Sequence, residues 1–325
     1  MKPLLSVHNL KTFFFTSQGT SRAVDGVSYS LFDRETIGIV GESGSGKSVS
    51  VLSILRLVPE PQGKIVGGEI WFDGIDLLKA TEAKMREIRG NRISMIFQDP
   101  MTSLNPVFTI GNQISEAIVL HQGLSQKDAL EQSVEILKLV RISSPENRVH
   151  EYPYQLSGGM RQRAMIAMAL ACHPKILIAD EPTTALDVTI QAQILDLMNR
   201  IKEETGTAII MITHNLGVIA EMAERVLVMY SGKIMEAAPV DEIFHHPLHP
   251  YTKGLLETVP RIDREVRPDK RLPEIPGMIP SLQRLPEGCH FHPRCSFARE
   301  ICRQGEPELR EIGDQHSCRC WLVSE

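Results

Sequence analysis

The sequence predicts an α/β fold in which a mostly parallel β-sheet is covered by helices on both faces. Three observations lead to this prediction. Short apolar, β-branched runs alternate with helical stretches along much of the chain. A glycine-rich loop directly follows one of these runs and leads into a helix. Polar residues follow three further runs, and in such sheets ligands bind at the carboxyl ends of the strands.

The composition fits one large or two modest domains. The 325 residues are 42% hydrophobic, which is enough for a substantial core. The net charge is −5, so we expect no general attraction to nucleic acid or anionic lipid. No apolar run approaches the length of a membrane-spanning helix, and the first residues are too mixed for a signal peptide. We therefore expect a cytosolic protein that reaches a membrane only through a partner.

The glycine-rich loop has the spacing of a phosphate-binding loop, G-x-x-x-x-G-K-[ST]. Its members are Gly41, Glu42, Ser43, Gly44, Ser45, Gly46, Lys47 and Ser48. A predicted strand at 36–40 precedes the loop and a predicted helix at 49–56 follows it, so free backbone N–H groups at the helix start favour an anion. Lys47 can reach the β and γ phosphates of a nucleotide, and the Ser48 hydroxyl suits Mg²⁺.

Polar side chains at the ends of other predicted strands could complete a nucleotide site. Asp180 and Glu181 close an apolar run. The first could hold Mg²⁺ and the second could orient or deprotonate a water molecule. Gln98 and His214 also follow apolar runs. Gln98 could contact Mg²⁺ or the water, and His214 the γ-phosphate, although such residues are commonly polar groups at the rim of a core.

Two other stretches have a possible nucleotide role. Ser157, Gly158 and Gly159 open a predicted helix and resemble a second anion-binding N-terminus. A second such site requires a second source of phosphate, and a neighbouring subunit's nucleotide would supply it. Among the aromatic residues at 13–15, one could stack on an adenine ring, with Phe15 our candidate. Burial in a strand core explains these aromatic residues equally well.

These motifs, in this order, resemble those of the ATP-binding cassette (ABC) ATPases over residues 4–235. The segments at 97–106, 249–252 and 288–295 are typical of the peptide-importer branch. The resemblance implies a P-loop NTPase (RecA-like) core with a mixed sheet, an inserted helical subdomain and a small C-terminal extension. We assign the core to residues 1–98 and 173–235, the helical signalling subdomain to 99–172 and the extension to 236–325.

The resemblance also implies a mechanism. Two cassettes pair head to tail, and each ATP lies between the phosphate loop of one chain and Ser157, Gly158 and Gly159 of the other. Asp187 helps to join the two sites. The implied catalytic residues are Glu181, His214, Gln98 and Lys47, and the implied Mg²⁺ ligands are Ser48, Gln98 and Asp180.

The implied function is ATP hydrolysis that powers uptake of dipeptides or oligopeptides. The expected partners are a second, different ATPase subunit, two transmembrane permease subunits and, indirectly, an extracytoplasmic peptide-binding protein, at the cytoplasmic face of the membrane. A nickel or glutathione importer is the nearest alternative. A soluble cassette protein that acts on DNA or ribosomes is a remote one, since this chain has neither a second cassette nor a long coiled coil.

Five of the six cysteines lie in the last 40 residues. In a reducing compartment this clustering favours metal or redox chemistry over disulfides. Spacing alone leaves zinc, an iron–sulfur cluster and unmetallated thiols open, and His290, His292 and His316 keep zinc among them. The resemblance implies a [4Fe–4S] cluster on four cysteines, the fourth being Cys320 by preference or Cys318. The implied ligands are Cys289, Cys295, Cys302 and either Cys318 or Cys320, whereas Cys172 belongs to the core.

Overall fold

The computed structural model describes residues 2–184, 186–258 and 274–323. The chain forms two compact units. The first combines Lys79–Ile212 with the short stretches Met1–Leu4 and Leu31–Thr36. The second combines Leu5–Ser30, Ile37–Leu78 and Thr213–Glu325. Along the described ranges, no helix combines the length and apolarity needed to cross a membrane.

The strands of the described residues are β1 (Leu5–Thr16), β2 (Gly19–Leu31), β3 (Thr36–Val40), β4 (Gly63–Phe72), β5 (Ile75–Asp76), β6 (Ile93–Ile96), β7 (Ile176–Asp180), β8 (Ala208–Ile212), β9 (Arg225–Tyr230), β10 (Lys233–Pro239), β11 (Arg310–Gly313) and β12 (His316–Cys318). The α-helices are α1 (Lys47–Ile54), α2 (Glu82–Ile88), α3 (Pro100–Ser103), α4 (Ile110–Gln122), α5 (Gln126–Leu139), α6 (Pro145–Arg148), α7 (Gly158–Leu170), α8 (Val188–Thr205), α9 (Leu216–Met222), α10 (Val240–His245), α11 (Pro250–Glu257) and α12 (Ile301–Gln304).

The first unit contains a parallel sheet with the strand order β6-β7-β8. Every residue of β7 and β8 is buried, which explains why these strands read as continuous apolar runs rather than alternating ones. The helices α4, α5 and α7 pack against one another. Their starts follow from local sequence: Thr109 caps α4 and Ser125 caps α5, each accepting a backbone N–H hydrogen bond at 3.2 Å. The predicted helical character of 110–172 is thus largely confirmed.

The second unit contains two sheets. One is antiparallel with the order β2-β1-β4-β5. The other sheet has the strand order β11-β12-β10-β9-β3 and is mixed. Strands β3 and β9 are parallel, whereas the pairs β9–β10, β10–β12 and β12–β11 are antiparallel. The C-terminal extension therefore adds strands to the sheet that carries β3. The predicted domain boundary at 235/236 falls inside β10.

A buried carboxylate ties the extension to this sheet. Glu236 on β10 is completely buried. One of its oxygens lies 2.8 Å from Nε2 of His316 on β12 and accepts a hydrogen bond from the Leu248 backbone at 2.7 Å. The other accepts from the His249 backbone at 2.9 Å. With several partners in place, the carboxylate can remain buried without a large desolvation penalty.

Candidate functional site

The phosphate loop lies between the buried strand β3 and helix α1. Gly46 is the residue before the helix and has a φ of 99°, and Gly41 has a φ of 150°. A Cβ at Gly46 would lie 2.1 Å from the Ala23 carbonyl oxygen, and one at Gly41 would lie 2.1 Å from that of Met229. Both positions therefore require glycine for space as well as for backbone conformation. The predicted strand–loop–helix arrangement is present.

The ammonium group of Lys47 is enclosed by its own loop. Its Nζ donates to the carbonyl oxygen of Gly41 at 2.8 Å and to that of Glu42 at 2.9 Å, and lies 3.4 Å from Oγ of Ser45. Lys47 is only 6% exposed. The loop thus holds a buried cation beside the N-terminus of α1, which is the arrangement that binds phosphate groups. Ser48 lies in the first turn of the same helix.

In the first unit, the carboxyl end of β7 carries Asp180 and Glu181. Asp180 is buried. Glu181 has a φ of 49°, an unusual left-handed backbone conformation for a side chain of this size. Its Oε2 accepts hydrogen bonds from Nε2 of Gln98 and from Oγ1 of Thr184, both at 2.9 Å. The structure therefore brings together two of the predicted site residues, Gln98 and Glu181, from segments 83 positions apart.

His214 is exposed in the turn that precedes α9, in the second unit. The neighbouring Thr213 donates its backbone N–H to Ile39 of β3 at 3.3 Å. Asn215 caps α9, and its side chain accepts from the Gly217 backbone at 2.9 Å. His214 is therefore held next to the strand that leads into the phosphate loop.

The N-terminus of α7 is open to solvent. Ser157 caps this 13-residue helix by accepting from the Met160 backbone at 3.3 Å, and both Ser157 and Gly158 are exposed. A Cβ on Gly158 would meet no atom within 4 Å, whereas one on Gly159 would lie 3.1 Å from Ile190. Gly158 leaves space for a ligand or partner, and Gly159 allows close packing.

Asp187 has a structural role that our sequence analysis missed. Its Oδ1 accepts a hydrogen bond from the Ile190 backbone at 2.9 Å and caps α8. The sequence does contain the signal, since an aspartate directly before an amphipathic helix is a preferred N-cap. Asp187 and Val188 are nevertheless exposed, so the start of α8 remains accessible to another molecule.

The aromatic residues of β1 divide between two environments. Phe13 and Phe15 line a cavity of about 750 Å³ in the second unit, whereas the Phe14 ring lies close to Gly63. The cavity wall also contains Arg22, whose guanidinium lies 5.9 Å from the Phe13 ring centroid. The remaining lining residues are Thr20, Val66, Leu282, Gln283, Arg284, Leu285, Pro286, Glu287 and His290.

Two features indicate a ligand site in this cavity. First, the cavity lies beside the phosphate loop: the wall residue Arg22 is followed by Ala23, whose carbonyl oxygen lies next to Gly46 of the loop. The carbonyl oxygen of Arg22 itself lies next to Gly232. Nδ1 of His290 is buried without a hydrogen-bond partner among the described residues. Burial is the main cause that lowers the pKa of His290, which favours the neutral ring.

The clustered cysteines also divide into two groups. Four of them line a small, largely apolar cavity in the second unit, and these are Cys289, Cys295, Cys302 and Cys320. Burial is the main cause that raises the pKa of Cys289 to about 11, and the neighbouring thiols contribute to the same rise. Cys318 does not line this cavity and instead pairs with Glu236 across β10 and β12. Among the described residues, no group of three or more His, Cys, Asp or Glu side chains has the arrangement of a metal site.

Cys172 is buried in the first unit beside α7, and its Sγ lies 3.5 Å from the Ala117 carbonyl oxygen. Burial raises its pKa. This agrees with a core thiol. Ala185, two residues before the predicted site residue Asp187, lies outside the described residues.

Comparisons with known proteins agree with this geometry. Residues 24–184 match the ABC transporter family, and residues 235–302 match the C-terminal region of oligopeptide/dipeptide transporters. The chain is 55% identical to a probable peptide ABC transporter ATP-binding protein of Sinorhizobium fredii, covering 99% of this chain and 96% of that protein. It is 51% identical to the oligopeptide transport ATP-binding protein AppD of Bacillus subtilis, covering 100% of this chain and 98% of that protein.

The structure is similar to that of an ATP-binding cassette solved as a dimer in a post-hydrolysis state with ADP and Pi. The TM-score is 0.65 at 27% identity, and the match covers 73% of this chain and 98% of the cassette. The predicted α/β cassette fold is therefore confirmed. On its similarity to relatives along nearly its whole length, the chain belongs to the peptide-transporter family of ABC transporter ATP-binding proteins.

Proposed function

We propose that this chain is the ATP-hydrolysing subunit of an importer of dipeptides or oligopeptides. The observation that carries the proposal is its full-length similarity to peptide ABC transporter ATP-binding proteins. The nucleotide part of the proposal has independent support in the phosphate loop, where Lys47 is buried at the N-terminus of α1.

ATP phosphates bind over the backbone N–H groups of the loop, and Lys47 turns from the Gly41 and Glu42 carbonyl oxygens toward them. Oxygen ligands suit Mg²⁺, and the candidates are Ser48, Asp180 and Gln98. Since the amide nitrogen of Gln98 donates to Glu181, its amide oxygen would be the atom that binds Mg²⁺. Bound Mg²⁺ would neutralise charge that develops on the β and γ phosphates.

Glu181 takes the role of general base toward the attacking water. Hydrogen bonds from Gln98 and Thr184 keep its carboxylate oriented. His214 donates a hydrogen bond to the γ-phosphate and stabilises the transition state. Phe15, 44% exposed on the wall of the cavity beside the loop, stacks on the adenine ring.

The active form contains two cassettes. The exposed start of α7, with Ser157, Gly158 and Gly159, binds the γ-phosphate of the ATP held by the other cassette. Asp187 helps to join the two sites at the exposed start of α8. The partner cassette is a different chain of the same family. Two membrane permeases and an extracytoplasmic binding protein complete the importer, and this chain works at the cytoplasmic face.

The extension holds a [4Fe–4S] cluster on four cysteines. Cys289, Cys295, Cys302 and Cys320 line one cavity, which supports this ligand set and favours Cys320 over Cys318 as its fourth member. A single tetrahedral ion would need its four sulfurs about 3.8 Å apart, because each metal–sulfur bond is about 2.3 Å long. The described residues contain no group arranged to hold a metal ion. A [4Fe–4S] cluster would bind each cysteine to a different iron, so its ligands need not converge on a single ion.

The test is reconstitution of the complete importer in lipid vesicles. ATP hydrolysis should rise when the binding protein is supplied with peptides, and labelled peptide should accumulate across the membrane. Stimulation by nickel or glutathione but not by peptides would assign the chain to a related importer. A complex that transports without ATP hydrolysis would contradict the proposal.

A further inference from the structure

Glu42 is the second residue of the phosphate loop, and its backbone N–H, its carbonyl oxygen and its carboxylate each form hydrogen bonds. Its backbone N–H donates to the Tyr251 hydroxyl at 2.9 Å, and its carbonyl oxygen accepts from Lys47 at 2.9 Å. Its carboxylate receives both terminal nitrogens of Arg294: Nη1 to Oε2 at 2.7 Å and Nη2 to Oε1 at 3.0 Å. Two of these three partners come from the C-terminal extension, more than 200 positions away in sequence.

The guanidinium of Arg294 also forms hydrogen bonds to residues outside the loop, and these fix its orientation. Its side chain is 3% exposed. Nε donates to the Pro276 carbonyl oxygen at 3.0 Å, and Nη2 donates to that of Ile275 at 3.2 Å. Nη1 also lies 3.4 Å from the Tyr230 hydroxyl. The planar guanidinium is therefore fixed in the orientation that fits a carboxylate through two parallel hydrogen bonds.

Tyr251 is equally constrained. It is completely buried on α11, and its ring centroid lies 4.7 Å from that of Tyr230 and 5.3 Å from that of Phe291. Phe291 belongs to the same short segment of the extension as Arg294. Tyr230 contacts both residues that bind Glu42: its ring packs against Tyr251, and the guanidinium of Arg294 lies 5.8 Å from its ring centroid. Both contacts to Glu42 are therefore supported by the same packed aromatic cluster.

From this geometry we propose that Arg294 and Tyr251 are positioning residues that hold the phosphate loop in its ATP-binding shape through Glu42. The C-terminal extension thereby sets the affinity of this cassette for ATP. The inference rests on the proposed function, in which the loop binds ATP. It concerns residues that contact the loop and not the nucleotide, and it gives the extension a role within the ATPase cycle.

The physical reason is preorganisation. A glycine-rich loop has many accessible conformations, and ordering it upon ATP binding costs free energy. When Glu42 is fixed by the extension, part of this ordering is already present in the free protein. The Glu42 carbonyl oxygen is also a resting partner of Lys47, so a displaced Glu42 moves an acceptor that keeps the ammonium in the loop.

The test compares ATP affinity and turnover in the full-length chain assembled with its partner subunits. Arg294→Gln should raise both the Kd and the KM for ATP about tenfold, since a charge-assisted bidentate contact is lost, while kcat changes less than about twofold. Tyr251→Phe should give a smaller increase in Kd, since it removes one neutral hydrogen bond. The matched control is Arg310→Gln in the same extension, whose exposed guanidinium pairs with Glu308 and should not affect ATP affinity.

Two further variants separate positioning from a folding defect. Arg294→Lys keeps the charge without the planar fork and should recover part of the affinity; recovery of none would contradict the proposal. A double variant combines Glu42→Gln with Arg294→Gln. It should bind ATP no more weakly than the single variant with the lower affinity, because both substitutions break the same contact. Losses that multiply would show that the residues act independently and would overturn the proposal.

Hydrogen exchange gives a readout that does not depend on turnover. Amides of residues 41–48 should exchange faster in Arg294→Gln than in the unaltered chain, without ATP, while amides of β7 and β8 remain as protected as before. If the unaltered chain does not bind ATP, the proposed function itself is wrong. If it binds ATP and Arg294→Gln binds equally tightly, only the positioning role is wrong.

Discussion

The side-chain amide of Gln98 donates a hydrogen bond of 2.9 Å to Oε2 of Glu181, which also accepts from Thr184. The backbone of Glu181 has a positive φ of 49°, so the carboxylate is held at the end of β7 by a strained conformation. Such strain together with defined hydrogen bonds keeps the carboxylate in one orientation, which supports the role toward a water molecule that we propose for Glu181.

We therefore expect Glu181→Gln to bind ATP with nearly unchanged affinity and to lower hydrolysis by about 10²–10⁴-fold. The amide is almost the same size as the carboxylate but cannot accept the proton from water. Binding is measured by competition with a fluorescent ATP analogue, and turnover by phosphate release. Glu203→Gln, on the exposed face of α8, serves as the control and should have full activity. Undiminished hydrolysis by Glu181→Gln would remove it from the role of general base.

Ser157 allows a matched comparison with a second serine. Ser157 caps α7 and Ser125 caps α5, each by accepting one backbone hydrogen bond. Replacing either with alanine should lower the free energy of unfolding by about 1 kcal/mol. Only Ser157→Ala should also impair the pairing of cassettes on ATP, since only that helix start is proposed to contact the partner's nucleotide.

Light scattering with ATP under non-hydrolysing conditions, in the Glu181→Gln background, measures this pairing. Denaturant titration of both variants measures the loss of stability. Equal pairing by the two variants would confine Ser157 to a capping role and would contradict the proposed composite site.

The sequence alone predicted those elements that a short, continuous pattern of residues defines. The phosphate loop needs only a strand, eight consecutive residues and a helix, and all are present around Lys47. The apolar runs that became β7 and β8 are buried at every residue, so length and composition identified them. That Gln98 and Glu181 meet also follows from the rule that neighbouring parallel strands carry ligand residues at one edge.

The contacts that the extension makes with the phosphate loop could not be predicted from the sequence. Arg294 and Glu42 are 252 positions apart, and neither position has a local pattern that indicates the other. The addition of β12 to β10 depends on how the chain returns after a long proline-rich stretch, and a three-residue strand has too little periodicity to be recognised. Spacing likewise did not distinguish Cys318 from Cys320, because Cys318 lies in β12 and Cys320 lies beyond its end, and only the folded chain shows which of the two lines the cavity.

The cysteine comparison is a direct test of the cluster. Cys320→Ser should lose most of the iron and sulfide from anaerobically purified protein, because the remaining three cysteines leave one iron without its ligand. Cys318→Ser should retain both, since Cys318 does not line the cavity. Iron, sulfide and zinc are quantified for both variants and for the unaltered chain. Stoichiometric zinc without iron in the unaltered chain would contradict the cluster, and equal iron loss in both variants would contradict the choice of Cys320.

The buried carboxylate of Glu236 should be a large contributor to the stability of the extension. Glu236→Ala leaves His316 and two backbone N–H groups without their acceptor. Breaking a buried charged contact in this way should lower the free energy of unfolding by about 3–5 kcal/mol. Glu236→Gln retains one acceptor oxygen and should cost less. The exposed Glu308, paired with Arg310 at 3.4 Å, is the control, and Glu308→Ala should change stability by less than about 1 kcal/mol.

Urea denaturation measures these differences, and hydrogen exchange locates them. Amides of β12 should lose protection in Glu236→Ala before those of β7, because Glu236 joins β10 to His316 on β12 and to the backbone at Leu248 and His249. Because Arg294 reaches the phosphate loop from the same extension, Glu236→Ala should also weaken ATP binding. An extension that unfolds in this variant while ATP affinity stays constant would contradict the positioning role proposed for Arg294 and Tyr251.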